Sequence, residues 1–181
     1  MASESGKARR KPRADSLRNR EKLLEAAATV FGAGGAQASL EAVAREAGVG
    51  IGTLYRHFPT REELFEAVYR NEVDILYALA EELVREEAEP VTALQRWIHA
   101  SVRLFATKSG MIGALQLATQ ASAELKTYSM DKMTGSIGML IDRGVRDGTL
   151  RDDIGPEDVF RALVGIYYSQ NQTGGPAAAL R

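Results

Sequence analysis

The sequence predicts an all-α fold with a small basic head and a larger helical body, and three observations support this. Apolar residues recur at helical spacings of three and four along most of the chain. No segment of any length alternates apolar and polar residues as a half-buried strand does. Positive charge is concentrated near the N-terminus: residues 1–61 carry eleven Lys and Arg against six Asp and Glu, whereas the rest carries twelve against eighteen. This asymmetry indicates an N-terminal part that faces a polyanion.

Composition narrows the class of protein. Hydrophobic residues make up 45% of the 181, which suits a globular core. The absence of cysteine excludes disulfides, zinc ribbons and thiol nucleophiles. The first residues are basic and polar with no apolar segment behind them, unlike a secretory signal, and the longest uncharged run, 109–123, is too polar for a membrane span. We therefore expect a cytoplasmic protein that does not bind membrane.

The first helix is expected to begin at Asp15 or Ser16, because either side chain can cap a helix N-terminus. Glycines within 32–35 are expected to end it. The residues before it, 1–15, are basic, contain proline and are predicted to form a disordered arm.

Two short helices follow. Ser39 offers an N-cap for a helix that runs to about Glu46, and Gly48 breaks it. A third helix is predicted between Gly50 and about His57, just before a proline that stops the pattern. The chain therefore presents three helices in its basic part.

Capping signals also organise the body. Thr60 and Glu63 form a capping box at the start of a fourth helix that continues to about Glu87. Pro156 marks the start of the last predicted helix. Between them the periodicity predicts helical segments over 91–107, over 110–123, and over 126–147, the last interrupted by Gly135, Gly138 and Gly144.

The glycine-rich stretch GVGIG at 48–52 has two interpretations. A dinucleotide-binding loop needs a preceding buried strand and a third glycine at position 53, where Thr53 stands, and no Walker-type Gly-Lys-Ser/Thr follows. An enzyme that uses the Gly48–Gly52 loop for a nucleotide cofactor therefore stays an alternative, but the chain offers no catalytic constellation. We expect no enzyme activity, no cofactor and no metal site. A helical interaction protein that binds anionic surfaces through its basic arm is a further alternative.

Two short helices joined by a glycine turn in a basic region are the arrangement of a helix-turn-helix, whose second helix enters the major groove of DNA. Gly50 and Gly52 would allow close approach of the backbone to the duplex. Thr53 and Arg56 carry groups that suit base edges. Groups suited to phosphate oxygens are carried by Tyr55, His57 and Arg61.

The stretch LLEAAATVFGAGG, followed by ASLEAVAREAGVGIGTLYRHFPTREELFEAVY, resembles the N-terminal domain of TetR-type transcriptional repressors from about Leu17 to Tyr69. The resemblance implies an all-helical homodimer whose first three helices bind palindromic double-stranded operator DNA. It also implies a larger C-terminal helical domain that dimerises and binds a small-molecule inducer. By position, Ser39 would contact phosphate at the start of the second helix, and Arg61 at the start of the fourth. The groove would be lined by Gly50, Ile51, Gly52, Thr53, Tyr55, Arg56 and His57.

Two departures from the family pattern are visible. Many relatives have Ser-Lys in place of Gly50-Ile51, so this chain offers an apolar group, suited to a thymine methyl, where they offer a charge. Relatives commonly end in a long amphipathic helix that completes a four-helix dimer interface, whereas this sequence ends in GGPAAALR. Either the interface is smaller or that helix is absent from this chain. The expected domains are the arm over 1–15, the helix-turn-helix domain over 16–60 and the regulatory and dimerisation domain over 61–181.

The body carries bulky, adaptable side chains that suit an apolar ligand cavity, although Met and aromatic residues at helical spacing are more often ordinary core residues. The predicted ligand-lining residues are Trp97, Phe105, Met111, Leu115, Gln116, Tyr128, Met133 and Tyr168, with Ile137, His99, Gln120 and Asn171 as further candidates. Bound inducer would tilt the fourth helix and change the separation of two heads that must match half-sites roughly 34 to 36 Å apart.

Overall fold

The computed structural model describes residues 10–34, 38–86, 89–117 and 122–171. These ranges contain seven α-helices and no strand, which confirms the all-α prediction. The helices are α1 (Arg10–Gly34), α2 (Leu40–Glu46), α3 (Ile51–His57), α4 (Arg61–Arg85), α5 (Pro90–Leu117), α6 (Ser122–Arg146) and α7 (Pro156–Asn171). Of the helices in the described ranges, none is both long enough and apolar enough to cross a lipid bilayer.

The head consists of α1, α2 and α3 packed against the first turns of α4. Apolar residues three and four apart on α1 are buried, and they meet Val43 of α2 and Leu54 of α3 in one core. The rings of Phe31 on α1 and Phe65 on α4 lie 4.4 Å apart between centroids. This aromatic contact fixes the head to the helix that leads into the body.

The body is built around α4, which contacts both α5 and α6, while α7 packs on α6. Helix α5 also contacts α1, so the head touches the body through two helices rather than through α4 alone. Trp97 of α5 is fully buried against α4, where its indole Nε1 donates a hydrogen bond to the Leu76 carbonyl oxygen at 2.9 Å. Head and body therefore share a continuous hydrophobic core.

Helix α1 begins earlier than predicted. It starts at Arg10 rather than at Asp15 or Ser16, so residues 10–15 of the predicted disordered arm are helical. Pro12 lies in the first turn, where its missing N–H would have had no helical partner in any case. The proline that favoured a disordered arm is therefore compatible with a helix start.

Two interruptions predicted in the body are also absent from the described helices. Helix α5 runs from Pro90 to Leu117 through Gly110, where two separate helices were predicted. Helix α6 likewise continues through its three glycines. A Cβ built on Gly144 would lie 2.6 Å from Leu150 Cδ1 and 3.0 Å from Pro90 Cβ, so glycine at this position allows other segments to approach α6 closely.

Candidate nucleic-acid interface

The turn between α2 and α3 follows from the local sequence. Gly48 adopts φ +65°, which glycine reaches without steric cost. Its N–H donates to the Arg45 carbonyl oxygen at 3.1 Å, and the Val49 N–H donates to the Ala44 carbonyl oxygen at 3.0 Å. These two bonds form a Schellman motif, which ends α2 and sets the direction in which α3 begins.

Helix α3 has one buried face and one exposed face. Leu54 and Phe58, four residues apart, are 0% and 3% exposed and anchor the helix to the head. On the opposite side, Ile51 is 38% exposed and Tyr55 is 46% exposed, although both side chains are large and mainly apolar. Arg56 is exposed beside them. The face that the sequence predicts for groove contact is the face that α3 presents to solvent.

Gly50 and Gly52 are not required by the packing of the head itself. A Cβ built on either glycine meets no heavy atom within 4 Å, and neither residue has a positive φ. Gly50 occupies the N-cap position of α3 without any side-chain cap. The open space in front of both residues fits a surface to which another molecule approaches closely.

The two predicted base-reading residues interact with each other. The Nε of Arg56 donates to the Gly52 carbonyl oxygen at 3.2 Å, and its Nη2 donates to Thr53 Oγ1 at 3.3 Å. Arg56 therefore lies back along its own helix, and its guanidinium and the Thr53 hydroxyl form one polar group on the α3 surface.

The predicted phosphate-contacting residues lie at helix ends and on the exposed side of α3. Ser39 caps α2 and accepts the Ala42 N–H at 3.1 Å, so its hydroxyl hydrogen stays available as a donor. Arg61 is the first residue of α4, with its Cζ 5.6 Å from the centroid of the Phe65 ring. Helix N-termini carry partial positive charge, which favours phosphate at both residues. Tyr55 is exposed and His57 is half-buried.

One basic residue that the sequence did not single out also lies beside α3. The guanidinium of Arg20, on α1, is 5.2 Å from the centroid of the Phe58 ring. The two residues are far apart in sequence, and the two short helices of the predicted helix-turn-helix do not include Arg20. Only the packing of α1 against the end of α3 brings Arg20 to this position.

The predicted ligand-lining residues with described side chains lie at different helix contacts. Trp97 packs at the contact of α5 with α4. The ring of Phe105 stacks on Tyr167 of α7, with centroids 4.9 Å apart. Met133 of α6 is 1% exposed and belongs to the core, as does the further candidate Ile137.

Tyr128 belongs to a polar cluster that we call the α4–α6 seam, made of Arg70, Asp74, Tyr77, Tyr128 and Lys132. The Tyr128 hydroxyl donates to the Asp74 carboxylate, and Lys132 Nζ lies 3.6 Å from the same carboxylate. Arg70 Cζ lies 4.8 Å from the Tyr128 ring centroid, and Lys132 Nζ lies 3.9 Å from that of Tyr77. Burial, and then the hydrogen bond to Asp74, raise the pKa of Tyr128 to about 12.

Apart from His99, the side chains of the remaining ligand candidates are not among those that the structure describes. The backbones of Met111, Leu115 and Gln116 in α5, and of Tyr168 and Asn171 in α7, are helical, but their side chains fall outside the described part of the chain, as does all of Gln120.

His99 is exposed, and its Nδ1 donates to the Gln95 carbonyl oxygen at 2.7 Å. It lines an open depression of about 430 Å³ with Leu79, Thr92, Gln95 and Arg96. A second depression, of about 260 Å³, lies between α1 and α2. Among the described side chains, no three His, Asp or Glu residues are placed to hold a metal ion.

Comparisons with known proteins agree with this geometry. Residues 23–68 match the family model for bacterial regulatory proteins of the TetR family, and residues 89–181 match the model for the C-terminal domain of SbtR-like transcriptional regulators.

Two solved structures have similar folds. One is a TetR transcriptional regulator, SCO0520, from Streptomyces coelicolor, which is 40% identical, with 83% of this chain and 85% of that chain covered and a TM-score of 0.75. The other is a TetR transcription regulatory protein from Mycobacterium vanbaalenii, which is 31% identical, with 89% and 97% covered and a TM-score of 0.71.

A curated relative, the HTH-type transcriptional repressor KstR2 of Mycobacterium tuberculosis, is 28% identical over 169 residues, with 88% of this chain and 84% of the relative covered. These relatives are regulators rather than enzymes, which removes the cofactor-enzyme alternative. The chain therefore belongs to the TetR family of bacterial transcriptional regulators.

Proposed function

We propose that this protein is a ligand-responsive repressor that binds a palindromic operator as a homodimer and is released from it by a small-molecule inducer. The observation that carries the proposal is α3 itself. Leu54 and Phe58 fix the helix in the head, while Ile51, Tyr55 and Arg56 stand on its exposed side. A fixed helix with an exposed polar and apolar face is what major-groove readout needs.

The roles of the exposed residues follow from their chemistry. The Arg56 guanidinium and the Thr53 hydroxyl, already in contact, contact base edges together. Ile51 packs on a thymine methyl, and Gly50 and Gly52 let the α3 backbone approach the duplex. Phosphates are held by Ser39, Tyr55, His57 and Arg61.

Dimerisation and repression complete the proposal. Helix α7 keeps Ile166 55% exposed, although its neighbours on the same helix pack on α6. The family resemblance implies a homodimer, and we assign Ile166 of α7, the last helix of the described ranges, to the interface with a second copy of the chain. Two heads then match half-sites roughly 34 to 36 Å apart. Repression rather than activation is supported by the name of the curated relative, a repressor.

The inducer site is proposed in the body, among α4, α5, α6 and α7. Its lining would be drawn from Trp97, Phe105, Met111, Leu115, Gln116, Tyr128, Met133 and Tyr168. Because α4 runs from the head into the body, a ligand that favours one tilt of α4 changes the separation of the heads. Inducer and operator then weaken each other's binding by about 1 to 3 kcal/mol or more.

Selection of bound duplexes from a random pool by the full-length protein tests the proposal. We expect a palindromic motif to be enriched. Arg56→Ala should relax base preference at one position of each half-site, at a cost of about 1 to 3 kcal/mol. Arg61→Ala should weaken binding to all duplexes and lower the salt slope by about one for each of the two heads.

Arg85→Ala, at the far end of α4, is the matched control and should leave both properties unchanged. If no motif were enriched, sequence-specific binding would be rejected. If Tyr55→Ala and Arg56→Ala bound the selected operator like the parent, the assignment of the α3 face would be wrong.

A further inference from the structure

We propose that Arg20 of α1 is an additional phosphate-binding residue that extends the interface beyond the C-terminal end of α3. The inference rests on the proposed DNA-binding function and adds a contact from a helix outside the helix-turn-helix. Its ligand is a phosphate oxygen of the duplex backbone. The contact contributes to the affinity for DNA and to the salt dependence of binding, but not to the preference for particular bases.

The position of Arg20 is set by the ring of Phe58. Phe58 directly follows α3, is 3% exposed, and its N–H donates to the Leu54 carbonyl oxygen at 2.8 Å, so its ring is fixed in the head. The Arg20 guanidinium lies 5.2 Å from the centroid of that ring. A cation–π contact of this kind holds an otherwise long and mobile side chain beside the end of α3.

Arg20 is exposed, and no carboxylate of the described ranges forms an ion pair with its guanidinium. Arg18, on the same helix, is instead paired with Asp15. Lys22 lines the depression between α1 and α2 together with acidic residues. Of these three basic side chains on α1, Arg20 is therefore the one that offers its charge beside α3.

Phe58 lies in sequence between His57 and Arg61, both already proposed as phosphate-binding residues. Through its contact with the Phe58 ring, Arg20 adds a basic side chain from a separate helix. A planar guanidinium held by an aromatic ring keeps several N–H donors for phosphate and loses little further rotamer freedom when it binds. The arrangement fits a backbone phosphate better than a contact that only packs α1 against α3.

The test measures affinity for one selected operator over a series of salt concentrations with the full-length protein. Arg20→Gln should lower the slope of log K against log salt by about one for each head, or about two for the bound dimer, and leave the selected motif unchanged. Arg20→Lys weakens the ring contact but retains the charge, so it should retain the slope. Arg18→Gln is the matched control because Arg18 is already ion-paired with Asp15. This variant should also retain the slope.

Circular dichroism at the assay temperature checks that each variant is folded, as expected for an exposed residue. If the parent did not bind DNA selectively and with salt dependence, the proposed function itself would fail. If the parent bound as expected while Arg20→Gln kept the full slope, only the assignment of Arg20 would be overturned. A changed base preference in Arg20→Gln would also overturn it, because a phosphate contact carries none.

Discussion

Replacing Gly52 with alanine should change the stability of the fold and the affinity for DNA in opposite directions. Gly52 lies in the first turn of α3, and no heavy atom lies within 4 Å of a Cβ built on it. The methyl group therefore costs nothing in packing and removes freedom from the unfolded chain. We expect a gain of about 0.4 to 1 kcal/mol in the free energy of unfolding. For a chain of this size that is a rise of about 1 to 4 °C in melting temperature.

Operator binding should weaken in the same variant. If the α3 backbone approaches the duplex at Gly52, the added methyl group is pressed against DNA, and overpacking of this kind costs about 1 to 3 kcal/mol. At about 1.4 kcal/mol per tenfold, the Kd rises roughly 5- to 140-fold for each head that contacts the operator. Fluorescence anisotropy at one salt concentration measures the Kd, and thermal unfolding at one protein concentration measures stability.

Gly135→Ala provides the matched control. Gly135 is exposed on α6, and its added Cβ would lie 3.9 Å from Tyr77 Cε2, an ordinary contact distance. The control should gain stability like Gly52→Ala and bind the operator like the parent. A Gly52→Ala protein that bound the operator as tightly as the parent would refute close approach at this position. A loss of stability would refute the inference that the position is open.

Three further predictions concern helix ends and the body. Gly48→Ala should lower the free energy of unfolding by about 1 to 2 kcal/mol because Gly48 has φ +65°. Gly148→Ala should have a similar effect because Gly148 has φ +78°. Unchanged urea midpoints in both variants would contradict this reasoning. Thr60→Ala should cost about 1 kcal/mol because its hydroxyl caps the Glu63 N–H, whereas Thr60→Ser should restore the urea midpoint. Between pH 10 and about 12 the Tyr128 phenol ionises in the unfolded chain but not in the fold, so stability should fall with rising pH, and Tyr128→Phe should lack this part of the fall.

The helix ends of the head were predictable because local chemistry decides them. Ser39 and Thr60 cap the backbone N–H groups three residues ahead, and Gly48 makes a turn that few other residues could make. The exposed face of α3 followed from the same reasoning, since Leu54 and Phe58 repeat at helical spacing and must point inward.

Features decided by distant packing were not predictable. Gly144 suggested a break in α6, yet the helix continues through it, and Leu150 and Pro90 pack where a larger side chain would stand. Arg20 meets Phe58 only after α1 and α3 have assembled. Periodicity also could not distinguish a core residue from a ligand-lining one. Trp97 fits both patterns, and the structure shows it fully buried with its indole N–H hydrogen-bonded.

If inducer binding tilts α4 as proposed, the α4–α6 seam would be the point about which the helix pivots. Asp74 of α4 accepts a hydrogen bond from Tyr128 and forms an ion pair with Lys132, both on α6. Arg61, the first residue of α4, lies about 20 Å away along the helix axis. A tilt of about 5° around this point would carry Arg61 through nearly 2 Å, enough to break a hydrogen bond to phosphate. The half of α4 beyond Asp74 is of similar length. Under the proposed mechanism, a displacement at the body end of α4 would produce a displacement of similar size at Arg61, and the response to inducer would depend on the strength of the contacts in the seam.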